Sequence, residues 1–154
     1  MGVQSGQKVR KEKEASFVLR YPLEFEMKKR ILIADDEACV VKVLKDRFEH
    51  WGYIVETAAD GEETLEKVES FNPQLLILDL KMPKLGGMRV LEQTKKRHPQ
   101  ISILILTASP SESTFKTCLE KGAVDYILKP FNPENLRESV EKALTTIAKN
   151  TSHD

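Results

Sequence analysis

Between residues 29 and 149, five short apolar runs alternate with five longer stretches of helical periodicity, and no two runs adjoin. The runs are Arg30 to Ala34, Tyr53 to Thr57, Leu75 to Leu78, Ile101 to Leu106 and Val124 to Leu128. After the first run, Val40, Val41, Leu44 and Phe48 recur at helical spacing, and Gly52 ends the pattern. Glu62 to Ser70 follows with Leu65 and Val68 inward, then Met88 to Arg97, closed by His98-Pro99. Glu112 to Glu120 comes next, with Gly122 suited to a left-handed residue after the helix. Asn132 and Pro133 then open a last helix that reads as ending near Ala148. A helix between two strands returns the chain to its starting edge, so the strands must be parallel. Leu75-Leu76-Ile77-Leu78 and Ile101 to Leu106 are unbroken apolar runs, as expected of strands covered on both faces. The fold class is therefore α/β, a doubly wound five-stranded parallel sheet with five helices on its two faces.

The 154 residues suffice for one domain, and 40% hydrophobic content supplies one ordinary core. Twenty-four basic residues balance 24 acidic ones, against a strongly basic nucleic-acid binder. The balance is uneven along the chain: residues 1–30 carry eight basic and four acidic side chains. No apolar run approaches the roughly 18 residues of a membrane span, and the N-terminus lacks the apolar middle of a secretory signal. Cys39 and Cys118 form no disulfide framework and no CxxC, and His50, His98 and His153 lack metal-site spacing. A cytoplasmic location is the expectation. Residues 1–27 read as an N-terminal extension: a polar stretch to Glu14, then Ser16 to Met27, where Leu23, Phe25 and Met27 alternate with Glu24 and Glu26. That segment is open between a short extra strand, a docking segment and a tail. Residues 28–149 form the domain, and 150–154 read as a C-terminal tail.

An open parallel sheet binds ligands beyond the carboxyl ends of its strands, where strand order reverses. The first run ends in Asp35-Asp36-Glu37, the third in Asp79, the fourth at Thr107 and the fifth at Lys129-Pro130. Carboxylates so gathered repel one another and take up protons unless a cation sits among them. Oxygen ligands suit a hard divalent ion, Mg²⁺ in the cell. Lys129 adds a point charge and Thr107 a hydroxyl donor, each able to hold a phosphoryl oxygen. The set suits a phosphoryl group, with a carboxylate as nucleophile. Asp79, alone at the end of a central apolar strand, is the candidate nucleophile. Asp35 and Asp36 are the candidate metal holders.

Ile31-Leu32-Ile33-Ala34-Asp35-Asp36-Glu37, Leu76-Ile77-Leu78-Asp79-Leu80-Lys81-Met82-Pro83, Leu106-Thr107-Ala108 and Tyr126-Ile127-Leu128-Lys129-Pro130-Phe131, in that order, resemble the receiver domain of bacterial response regulators. The resemblance covers about residues 29–149. It implies a flavodoxin-like sheet of order 2-1-3-4-5. It implies that Asp79 takes a phosphoryl group from a sensor histidine kinase or a histidine phosphotransfer protein. Asp36, Asp79 and the backbone carbonyl of Lys81 would ligate Mg²⁺, with Asp35 acting through a bound water. Thr107 and Lys129 would hold the phosphoryl oxygens, Tyr126 would turn inward behind Thr107, and Lys129-Pro130 would be cis. The surface of the fourth helix, fifth strand and fifth helix would change and act on a downstream effector or output domain. Whether phosphorylation also dimerises the chain is left open. The Lys81 side chain, two residues past Asp79, is placed to influence phosphoryl lifetime without the sequence giving the sign. Ala108 leaves the phosphoryl group accessible.

The chain ends soon after the last helix, which leads to the expectation of a switch acting through partners, without a DNA-binding or catalytic domain of its own. The alternative is a receiver fragment of a larger transcription factor or hybrid kinase. A phosphohydrolase with an aspartyl nucleophile is disfavoured because such enzymes carry Asp where Lys81 stands. A flavodoxin-type nucleotide module is disfavoured because acids, not a Ser/Thr/Gly loop, follow the first strand. Gly86-Gly87 reads as turn chemistry, and Lys95-Lys96-Arg97-His98 as a solvated helix end.

Overall fold

A computed structural model of the chain describes residues 28–108 and 111–153, with side chains through Thr145. The elements alternate throughout: β1 (Arg30–Ala34), α1 (Ala38–His50), β2 (Ile54–Ala58), α2 (Gly61–Phe71), β3 (Leu75–Leu78), α3 (Gly87–Arg97), β4 (Ser102–Thr107), α4 (Glu112–Glu120), β5 (Asp125–Leu128) and α5 (Pro133–His153). The five strands form one sheet of order β2-β1-β3-β4-β5, and every pairing is parallel. Ala34 thereby lies beside Leu78, and Ile105 beside Tyr126. β1 has β2 on one side and β3 on the other, so strand order reverses between β1 and β3.

The period of two along each strand divides the core. Leu32, Leu76, Leu78, Ile103 and Ile105 face a cluster completed by Val68 of α2, Val90 and Leu91 of α3 and Cys118 of α4. Ile31, Ile33, Leu75, Ile77, Leu104 and Leu106 face the other, completed by Leu44 and Phe48 of α1 and Leu136, Val140 and Ala143 of α5. β3 and β4 are buried along their whole length, which is why their sequences show no polar alternation.

Local chemistry sets the helix boundaries. Asp60 accepts from the Glu63 amide at 2.8 Å, Ser111 from Thr114 at 3.1 Å, and Asn132 from Glu134 at 2.8 Å, each at a helix start. Gly122 (φ 109°) supplies the left-handed residue expected after α4, and Gly52 (φ 98°) takes the same conformation after α1. Several readings shift, among them these three. β2 starts and ends one residue later than its apolar run, because pairing with Arg30–Ala34 sets its register. Neither Gly86 nor Gly87 has a positive φ; Lys84 takes that conformation in this loop (φ 68°). Finally, α5 continues to His153, so residues 150–153 are helical rather than a tail. No glycine or proline follows Ala148 to stop it. The extension read over residues 1–27 lies outside the described residues. No helix among the described residues is long and apolar enough to cross a membrane.

Candidate functional site

The carboxyl edge of the sheet gathers the residues singled out from sequence. Asp35 and Asp36 follow β1, Asp79 follows β3, Thr107 ends β4, and Lys129 follows β5. Backbone bonds fix their heights: Asp79 donates its amide to Ala34 at 2.9 Å, Asp35 to Ala58 at 3.0 Å, and Lys129 to Thr107 at 2.8 Å. Asp79, Lys81, Thr107, Ala108 and Lys129 line a shallow cleft of about 280 Å³, together with Asp36 and Glu37. The Lys129-Pro130 peptide is cis.

Lys129 organises the charge. Its Nζ lies 2.6 Å from Asp35 Oδ2, 2.8 Å from Glu37 Oε1 and 3.4 Å from Asp79 Oδ2. The side chains of Asp35, Asp79 and Lys129 are 2%, 6% and 9% exposed, whereas Glu37 is 58% exposed. Burial alone would pull the lysine pKa down. The close ion pair with Asp35, the hydrogen bond to Glu37 and the charge of Asp79 reverse that and hold it well above the ordinary lysine range. Asp79 moves the other way for an acid. Burial pushes its carboxyl above the usual carboxylate range, and the Asp35 charge adds to this. The Lys81 amide, at 3.2 Å from Asp79 Oδ1, and the Lys129 ammonium oppose the shift without cancelling it.

One carboxylate oxygen from each of Asp35, Asp36 and Asp79 lies within 4.8 Å of the others. Hard oxygen donors at this spacing suit a divalent cation, and a buried acid held above its usual pKa beside another is the situation such a cation relieves. These three side chains therefore fit Mg²⁺. Thr107 is buried at the cleft floor, and Ala108 beside it is exposed. Tyr126 stands on β5, half-buried, its ring edge-on to Phe115 with centroids 5.0 Å apart. Burial raises its hydroxyl pKa.

The structure thus brings together Asp35, Asp36, Asp79, Lys81, Thr107 and Lys129, and sets Tyr126 on the neighbouring edge strand. Two features went unread in the sequence. Glu37 was visible only as a third acid in a run, with nothing to connect it to a lysine 92 residues away. Gly87 reads from the sequence as a turn residue. A Cβ there would sit 2.5 Å from the Asp79 carbonyl oxygen and 2.5 Å from Leu80 Cα, so close packing, not turn chemistry, requires glycine.

The sequence model of the response regulator receiver domain matches residues 31–141. The alkaline phosphatase synthesis transcriptional regulatory protein PhoP of Bacillus subtilis is 42% identical over 118 residues, 77% of this chain and 49% of that protein. The probable transcriptional regulator ycf27 of Porphyridium aerugineum is 41% identical over 127 residues, 82% of this chain and 52% of that one. The chain spans about half the length of these curated relatives. Among solved structures, a CheY-like response regulator receiver domain protein from Methanospirillum hungatei superposes with a TM-score of 0.77 at 35% identity. That match covers 80% of this chain and 98% of that one. NtrX from Brucella abortus gives a TM-score of 0.77 at 27% identity, over 82% of this chain and 29% of NtrX.

Proposed function

The chain belongs to the response regulator receiver domain family, and from that membership we propose that it is a phosphoacceptor switch whose Asp79 carboxylate takes a phosphoryl group from a phosphohistidine donor. One observation carries the reading. The Asp79 carboxylate ends a buried strand with a lysine ammonium 3.4 Å away and two further acids gathered beside it, in a cleft open to solvent. An Asp79 oxygen forms the new O–P bond as the donor's N–P bond breaks, and the released imidazole keeps the electron pair and takes a proton. Lys129 neutralises phosphoryl oxygens, and the Thr107 hydroxyl donates to another. Asp36, Asp79 and the Lys81 carbonyl would hold Mg²⁺, with Asp35 acting through a bound water, and the ion would neutralise charge on the carboxylates and the phosphoryl group. The donor is a sensor histidine kinase or a histidine phosphotransfer protein.

The output runs through the edge of the sheet, where Tyr126 and Thr107 lie on adjacent strands. Phe115, Leu119, Val124 and Leu128 are exposed apolar side chains on α4, β5 and their connection. A change in Thr107 on phosphorylation, followed by Tyr126, alters this surface for an effector protein, an output domain or a second copy. The named relatives being transcriptional regulators, the output proposed is control of transcription within a larger regulator or through a partner. The same reading puts the chain in the cytoplasm. It has the chain gain and lose its own phosphoryl group and turn over no external substrate: Lys81 stands where a hydrolase needs its acid.

Intact-mass measurement after incubation with acetyl phosphate tests this, with Mg²⁺ or chelator, on the wild type and Asp79→Asn. One phosphoryl adduct that needs Mg²⁺ and disappears in Asp79→Asn is expected. A folded wild-type chain that gains no adduct from acetyl phosphate or from a phosphorylated histidine phosphotransfer protein overturns it.

A further inference from the structure

We propose that Glu37 is an electrostatic gate on the phosphoacceptor site: its carboxylate occupies the Lys129 ammonium and repels anionic phosphodonors until it is displaced. This rests on the phosphoacceptor reading above and assigns a role to a residue that reading does not use.

Glu37 sits at the N-cap of α1, where a side chain ordinarily accepts from the helix's first amides. It makes no such bond. Its own amide instead donates to Asp35 Oδ1 at 2.9 Å, which turns the Glu37 side chain out over the cleft and onto Lys129 at 2.8 Å. Among the three carboxylates on this lysine, Asp35 and Asp79 are buried and fixed by backbone bonds. Glu37 alone of the three is largely in solvent and can swing away at little cost.

Its position gives that freedom a consequence. Glu37, Ala108 and Lys129 line both the reaction cleft and a second, mainly apolar groove that runs past Val40, Val43 and Phe131. The Glu37–Lys129 pair is thus part of the wall between them. A phosphoryl group arriving at Asp79 needs the lysine face that Glu37 holds, and it arrives negatively charged. Glu37 opposes it twice, by occupying the cation and by its own charge. Neutralising it leaves Lys129 paired with Asp35 and Asp79 and removes both obstacles.

The test is a charge series at residue 37 on the full chain. Second-order phosphorylation rates are measured with doubly charged acetyl phosphate and with phosphoramidate, which carries one net negative charge at neutral pH. Glu37→Gln should react faster with acetyl phosphate by roughly three- to tenfold at low salt, from the repulsion of unit and double charges several ångströms apart at a solvent-exposed site. The gain with phosphoramidate should be about half as large on a logarithmic scale, and both gains should shrink as salt screens them. Glu37→Lys should extend the series in the same direction. Thermal melts of both variants confirm that they remain folded. Unchanged or slower reaction of Glu37→Gln, an equal gain with both donors, a gain that survives high salt, or a series that reverses at Glu37→Lys overturns the gate. If the wild type forms no adduct at all, the phosphoacceptor reading itself fails, which is a different result.

Discussion

Replacing Lys129 with methionine keeps the length and apolar stem of the side chain and removes its charge. Asp35 and Asp79, 2% and 6% exposed, then lose their cation together. At an effective dielectric of about 20, opposite charges at the 2.6 Å of the Asp35 contact attract by about 6 kcal/mol. Desolvation of both partners offsets part of that, and removing one member of a buried pair typically costs about 3–5 kcal/mol. The exposed Glu37 contact adds about 1 kcal/mol at most. In chelator, Lys129→Met should therefore melt roughly 10 °C below the wild type, at about 2–4 °C per kcal/mol for a domain of this size. Three arms identify the cause. Adding Asp35→Asn should recover more than half of the loss. Saturating Mg²⁺ should raise the melting temperature of Lys129→Met more than that of the wild type, because the cation takes over the missing charge. Acid should help the variant as well. Asp79 is held above its unfolded pKa even with the lysine present, and without it the gap widens. A carboxyl raised on folding binds its proton more tightly in the native state, so stability rises as pH falls through its folded pKa and levels off below about 3.9. Scanning calorimetry across these conditions is the assay. A Lys129→Met that melts with the wild type in chelator, or a double variant no better than the single, refutes the account of a charge cluster held by one lysine.

Other perturbations follow from the same geometry. Asp79→Asn removes a buried charge that burial and Asp35 both disfavour, while leaving Lys129 its other partners; in chelator it should be more stable than the wild type, read as a higher urea midpoint. Mg²⁺ at about a hundredfold over its Kd should stabilise the wild type by about 2.7 kcal/mol, and Asp36→Ala should abolish most of that shift. Gly61→Ala would set a Cβ 2.0 Å from the Leu85 carbonyl oxygen, and Gly87→Ala one 2.5 Å from the Asp79 carbonyl oxygen. Each should cost about 1–3 kcal/mol or more and weaken Mg²⁺ binding by calorimetric titration, since the loop between β3 and α3 must shift.

The fold was legible because its signals are local and mutually consistent. Unbroken runs such as Leu75–Leu78 need cover on two faces, and intervening helices force parallel strands. The site was legible for a related reason: a parallel sheet brings all its carboxyl ends to one edge, so naming the residue after each strand names the site. Glu37 escaped because its partner is chosen by a backbone bond to Asp35, and no sequence pattern announces which way an exposed carboxylate turns. Gly87 escaped because close packing and turn formation leave the same residue in the sequence. The end of α5 escaped because Asn150-Thr151-Ser152 are weak helix formers, yet no glycine or proline stops the helix there.

The three acids and the lysine they surround come from chain positions separated by 50 and 92 residues, joined only by the assembled sheet. On the proposed chemistry, a growing chain is therefore mute. Asp79 is synthesised long before Lys129, and until β5 docks beside β4 the acceptor has no ammonium to meet an arriving phosphoryl group. The edge strand β5 acts as a completeness check on this sheet, and a product truncated before it that still displays the acceptor aspartate sends no signal.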